Sequence, residues 1–194
     1  MAQRLTAAAR REQLLDVGLE VFSRNGFHAT SMNDVAEAAG VTKPVLYQHF
    51  ASKRELYLAL LHEEGARLLR SIAAATGSAD SPRAQVEQGF TAYFRWVSDD
   101  FEAFLLLFGS GARRDEEFAD EVRGVENAIA TAIAPLIQAD IDAAHQRTLA
   151  YAHVGLAEGT SRHLVHRGES FDPDRRARQV ADLAWGGLRT VKRV

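Results

Sequence analysis

The sequence of 194 residues has no cysteine, which rules out disulfides and any thiolate metal site. Proline is scarce: Pro44, Pro82 and Pro173 each stand where a helix begins, and Pro135 stands where one bends or ends. No apolar run approaches the roughly 20 residues needed to cross a bilayer. The opening Met-Ala-Gln-Arg-Leu-Thr-Ala-Ala-Ala-Arg-Arg lacks the apolar centre of a signal peptide, so a cytoplasmic, nucleoid-associated protein with no membrane partner is expected. There is no alternating strand pattern, no internal repeat, no G-x-S-x-G, no glycine-rich phosphate loop and no HExxH. Histidines 145, 153, 163 and 166 gather near Glu158. Arg162 and Arg167 repel a cation there, so solvated histidines are the simpler reading. No enzyme activity, metal or cofactor is expected.

What is present is 46% hydrophobic and 25% charged residues, enough for a packed core in one or two soluble domains. Its most specific stretch is 28–50. Ser31 and Asp34 form an S-x-x-D capping box that starts one short helix, and Gly40 ends it. Thr42 and first-turn Pro44 start a second helix running towards Phe50. Two helices this short are stable only when packed together, with Val35, Ala36, Val41, Val45 and Leu46 on the shared seam. Thr42, Lys43, Pro44, Tyr47, Gln48 and His49 are left facing outwards, where their polar groups suit phosphates and base edges of double-stranded DNA. Two packing helices with an ordinary polar face would show the same spacing, so the flanks matter. Upstream, Leu14, Leu15, Gly18, Leu19, Val21 and Phe22 recur at helical spacing, and Arg24-Asn25-Gly26-Phe27 closes that helix. Downstream, Ser52-Lys-Arg-Glu55 caps a long fourth helix.

Gly26-Phe27, Thr30-Ser31, Val35-Ala36, Ala39-Gly40-Val41, Leu46-Tyr47, His49-Phe50, Lys53 and Glu55-Leu56 closely resemble the amino-terminal domain of TetR-type transcriptional regulators. The resemblance covers roughly residues 10 to 61. It places Thr30, Ser31, Thr42, Lys43, Tyr47, His49 and Lys53 at positions that contact DNA in that family, with Pro44 where small residues are common. Net charge is −3 overall, but residues 1–54 carry seven Lys/Arg against five Asp/Glu, and the remainder carries the acidic excess. Arg4, Arg10 and Arg11 form either a basic arm on phosphates or a frayed terminus.

The expected fold is all-α with about nine helices. A three-helix helix-turn-helix domain over 1–54 is followed by a ligand-binding and dimerisation bundle over 55–194. Helices are expected over about 53–75, 82–99, 101–108, 115–138, 142–166 and 173–191. Phe90, Tyr93, Phe94, Phe101, Phe104 and Phe108, facing Val125, Ile129 and Tyr151, either fill the bundle or line a chamber for a hydrophobic small molecule. The family resemblance favours the chamber. Gly155 and Gly159, with Leu183, Trp185 and Leu188 beside small Ala184, Gly186 and Gly187, combine close approach with large anchors, as in a homodimer interface. In the resembling family the last two helices of each subunit form that contact.

The expected function is a homodimeric repressor, released from near-palindromic operator DNA by a hydrophobic effector. Two other readings stay open: an activator of lipid-metabolism genes, and an architectural DNA binder with a filled core. Thr42-Lys-Pro-Val-Leu-Tyr-Gln-His-Phe, Glu55-Leu-Tyr-Leu-Ala and Ala184-Trp-Gly-Gly-Leu resemble an actinobacterial subgroup that includes regulators of fatty-acid synthesis, which implies a fatty acyl-CoA or similar lipid as effector.

Overall fold

The computed structural model describes residues 5–109, 111–166 and 170–191. Among them the secondary structure is helical: α1 (Ala7–Ala29), α2 (Met32–Ala38), α3 (Lys43–Tyr47), α4 (Lys53–Gly77), α5 (Pro82–Asp99), α6 (Phe101–Phe108), α7 (Glu116–Ile133), α8 (Ala143–His166) and α9 (Pro173–Leu188). No helix is long and apolar enough to cross a membrane among these residues. The chain forms two compact units. The first comprises residues up to Glu64 together with Glu102–Glu121, and the second comprises Gly65–Phe101 and residues from Val122 onward. Segment 102–121, expected with the bundle, thus packs within the first unit.

Local chemistry accounts for most boundaries. Thr6, Ser31, Ser81 and Asp172 each accept a backbone N–H at a helix start, and prolines occupy the first turns of α3, α5 and α9. Gly26, at φ 76°, breaks α1 three residues before its end. α3 closes at Tyr47, short of Phe50, because the His49 and Phe50 amides both turn back to the Leu46 carbonyl. α7 stops at Ile133, and Ala134–Leu136 tightens into a 3-10 turn around Pro135, which has no N–H to continue the ladder. A second 3-10 turn, Ala112–Arg114, carries no signal in the sequence.

The first unit is centred on Leu14, Phe22, Val35, Leu46, Phe50, Leu56, Leu60 and Leu61, all buried. Gly18 lets α1 approach α4, since a Cβ there would lie 3.3 Å from Leu60 Cδ1. An aromatic cluster joins α1, α4 and α7. Tyr57 meets Phe22 and Phe27 at 5.1 Å and Phe118 at 4.5 Å, with Phe27 to Phe118 at 4.8 Å. Pairs of this kind contribute about 0.5–1.5 kcal/mol each beyond their burial.

In the second unit α5 and α9 run antiparallel. Arg95, late in α5, bridges Asp174 at 2.7 Å near the start of α9, and early Arg83 reaches late Asp182 at 3.3 Å. Their buried faces are Phe90, Tyr93, Phe94, Trp96 and Val97 against Ala177, Val180, Ala181 and Ala184. The small alanines let the aromatic face of α5 sit close. α4 meets α7 at Gly65, where an added Cβ would lie 2.3 Å from Val125 Cγ2.

That spacing is well below contact distance, so Gly65→Ala is expected to destabilise the protein by about 1–3 kcal/mol, as overpacking does. Urea unfolding of G65A checks this, and adding Val125→Ala should recover part of the loss.

Candidate functional site

The α2–α3 pair is built as its residues require. The Ser31 hydroxyl accepts the Asp34 amide at 3.3 Å, and the Asp34 carboxylate accepts the Ser31 amide at 2.8 Å, a reciprocal capping box. That backbone donor and the Ser31 hydroxyl hold the Asp34 carboxyl below its ordinary range. At the other end Gly40 adopts φ 64°. Its amide bonds to Glu37 O at 3.1 Å, and the Val41 amide bonds to Ala36 O at 2.9 Å, the pairing of a Schellman turn. Val35, Ala36 and Leu46 close the seam beneath.

Across the turn Thr42, Lys43, Pro44, Tyr47 and Gln48 are exposed, Tyr47 at 49%, and His49 is half-buried. The Thr42 side chain does not cap α3. A hydroxyl, an ammonium, a phenol and an amide therefore share one edge, all able to donate to phosphate oxygens or to acceptors on base edges. Ser31 is exposed beside them, its hydroxyl engaged in the cap.

Two residues of the expected set are turned inward. Thr30 is 2% exposed, and its hydroxyl donates to Gly26 O at 2.8 Å. Lys53 donates to Phe27 O and Thr30 O, both at 2.7 Å, with its ammonium 4.4 Å from the Phe27 ring centroid. Its charge thus binds the carbonyls that the broken end of α1 leaves open. Arg10 and Arg11 are part of α1 and not an arm. Arg10 bonds Gln13 at 2.6 Å, Arg11 lies over Phe50, and Arg4 is outside the described residues.

Sequence reasoning missed Arg54. Its guanidinium grips Asp115 through two bonds, at 2.8 and 3.2 Å, bonds Glu117 as well, and lies 4.8 Å from the Phe118 ring. The Arg54 contact, chiefly its hydrogen bond, holds the Asp115 carboxyl low. The acidic run between Asp115 and Glu126 reads in sequence as an exposed helix start. Its one clue is Phe118, a large apolar residue that a wholly solvated turn has no use for.

The expected ligand-lining residues divide. Phe90, Tyr93, Phe94, Val125 and Ile129 are buried in the second unit. Phe101 and Tyr151 are exposed, the Tyr151 hydroxyl donating to Asn127 Oδ1 at 2.8 Å. Phe104 and Phe108 belong to the first unit, their rings 5.6 Å apart. On the last two helices Gly155, Gly159, Gly186 and Gly187 face open space, and Leu183 is 66% exposed. Trp185 is half-buried, while Leu188 turns in against Ala130, Ile137 and Ala150. Among the histidines, His153 bonds the Leu149 carbonyl and Glu158 pairs with Arg162. Arg167 and the His166 side chain lie outside the described residues.

Residues 14–60 match the family model described as bacterial regulatory proteins, tetR family. Over 190 residues the chain is 33% identical to the HTH-type transcriptional activator FasR of Mycolicibacterium smegmatis, covering 97% of this chain and 87% of FasR. The chain belongs to the TetR family. It is a DNA-binding transcriptional regulator, and the relatives it matches are regulators, not enzymes. A TetR-like transcriptional regulator from Rhodococcus sp. RHA1 shares its fold at TM-score 0.80 and 30% identity, over 97% of this chain and all of that one. FadR from Bacillus subtilis, solved in complex with stearoyl-CoA, superposes at TM-score 0.80 with 16% identity, over 91% of this TetR-family chain and 98% of FadR.

Lys53→Ala is expected to cost about 1–2 kcal/mol of stability, through loss of charged hydrogen bonds to two carbonyls. Lys43→Ala, exposed, should leave unfolding unchanged. Chemical denaturation of the two variants side by side checks the contrast.

Proposed function

We propose that this TetR-family regulator is a homodimer that holds a near-palindromic operator through α3 and is released as a repressor by a hydrophobic small molecule. The carrying observation is the exposed edge Thr42, Lys43, Pro44, Tyr47 and Gln48, displayed on a helix pair fixed at both ends by its caps. Lys43 and Tyr47 contact phosphates, Gln48 reads base edges, and Thr42, Ser31 and His49 complete the contact. Thr30 and Lys53 serve the interface by fixing the corner between α1 and α2.

The open glycines and exposed Leu183 of α8 and α9 support a two-fold partner, since small residues admit a second pair of helices closely. Two recognition helices then stand about one duplex turn apart, roughly 34–36 Å. The buried aromatic face Phe90, Tyr93 and Phe94, together with buried Val125 and Ile129 in the same unit, supports an apolar effector. A long-chain acyl-CoA is the first candidate, because the same fold in FadR holds stearoyl-CoA. α4 supplies residues to both units, so an effector that binds one setting of α4 better than another shifts the population of operator-binding dimers. The coupling is reciprocal, and operator DNA weakens effector binding equally.

A second reading has one specific support: FasR, similar along nearly the whole chain, is named an activator. In that case the operator-bound dimer raises transcription. Transcription in vitro from the bound promoter separates the two, since a repressor lowers the transcript and an activator increases it.

Fluorescence titration of an operator fragment tests the interface. Lys43→Ala and Tyr47→Ala should each weaken binding about tenfold or more without changing elution on gel filtration. Leu183→Glu should elute as a monomer and lose operator affinity. Saturating stearoyl-CoA is expected to raise the melting temperature and to release the operator. If neither it nor any other lipid moves the melting temperature, the architectural alternative replaces the effector reading.

A further inference from the structure

The seam between α5 and α8 in the second unit holds polar atoms that no neighbour satisfies. Tyr93, 5% exposed, shares a face of α5 with Phe90, Phe94 and Val97. Ser161, fully buried, shares a face of α8 with His153 and Ala157 at four-residue spacing. The Tyr93 hydroxyl, Ser161 Oγ and His153 Nε2 are all shut off from solvent without a hydrogen-bond partner. The two hydroxyls lie side by side, and even a bond from one to the other leaves one hydroxyl proton and His153 Nε2 without a partner. Buried polar groups are nearly always satisfied, so a set of orphans on one seam calls for an absent partner.

The donor and acceptor inventory defines that partner. His153 Nδ1 lies 2.6 Å from the Leu149 carbonyl, which can only accept, so Nδ1 carries the proton and Nε2 offers a lone pair. Burial pushes the Tyr93 hydroxyl up and keeps it protonated. Glu158, ion-paired to Arg162, and Glu126 also act on the same hydroxyl. An anionic group would lose its hydration to lie there, whereas a neutral group able to donate and accept loses far less. The surroundings are apolar: Phe90 stacks on His153 at 6.0 Å, and Phe94 meets Tyr93 edge-on at 5.6 Å. His153 lies two helical turns from Ser161, about 12 Å along α8, so the seam suits an elongated molecule.

We propose that Tyr93 and Ser161 form a polar anchor that binds a neutral hydroxyl or amide group of an otherwise apolar effector, with His153 Nε2 as a second contact further along. A carboxylate or phosphate is not held at this point. The anchor rests on the effector reading above and narrows it. An acyl-CoA would meet the pair through the amides of its arm, and a free fatty acid would have nothing to place there.

Thermal melting of the full chain with 1-decanol, decanamide, decanoate or decane tests the anchor. The wild type should be stabilised more by the alcohol and the amide than by decanoate or decane. Tyr93→Phe and Ser161→Ala should each abolish that preference while leaving the decane shift in place. Without probe, Y93F should melt at or above the wild type, because it removes an unsatisfied hydroxyl; S161A is read in parallel in case Y93F fails to fold. A lower melting temperature for the probe-free variants would mean the hydroxyls are satisfied internally, and would overturn the anchor. Equal shifts with all four probes, or a dominant decanoate shift, would overturn the anchor but leave an apolar effector site standing. No shift with any probe would overturn both.

Discussion

Helices of seven and five residues cannot stand alone in water, where helix nucleation is costly and short segments are marginal. Everything this regulator presents to DNA therefore depends on how α2 and α3 are fastened to α1 and α4. The central fastening is Lys53. From the first turn of α4 its ammonium draws together the carbonyls of Phe27 and Thr30, where α1 has been broken by Gly26, and rests on the Phe27 ring. Thr30 adds a bond back to Gly26, and Ser31 begins the next helix at once. One cation thus sets the corner from which the reading pair projects.

Arg54, the next residue, faces the opposite requirement. It ties the head of α4 to Asp115, just before α7, and to Glu117 in the first turn of α7, and covers the Phe27–Phe118 contact. Exposed ion pairs contribute little singly. A two-bonded guanidinium over an aromatic cluster is better placed than most, because its geometry is set by packing as well as by charge. Two adjacent basic residues at the head of α4 consequently serve neighbouring elements. Neither is displayed in the manner of Lys43.

What was legible in the sequence was local. Ser31 with Asp34, Gly40, Ser81 with Pro82, and Asp172 with Pro173 announce helix ends through bonds spanning two to five residues, and the structure has each of them. The TetR resemblance was legible for the same reason, since its signature is a run of caps, a turn and a seam. Contacts between distant residues were not. Nothing near Arg54 points to an acid 61 positions away, and Gly65 reads as an ordinary helix glycine until Val125 is seen against it. The family resemblance places Lys53 at a DNA-contacting position, while in the structure its ammonium donates to carbonyls 23 to 26 residues upstream. Tyr93 read as one more aromatic on an apolar face. Only its position beside Ser161 reveals the hydroxyl as the informative part.

In the proposed dimer a pair of fastened reading heads, related by two-fold symmetry, engages one operator. Hydroxyl-radical footprinting on genomic fragments tests it most directly, because it maps each contacted sugar. Two protected half-sites of related sequence are expected on a near-palindrome, centred about 10 base pairs apart or a multiple of one turn, with protection lost as salt rises. A single unpaired patch of protection, or protection indifferent to sequence, would contradict it.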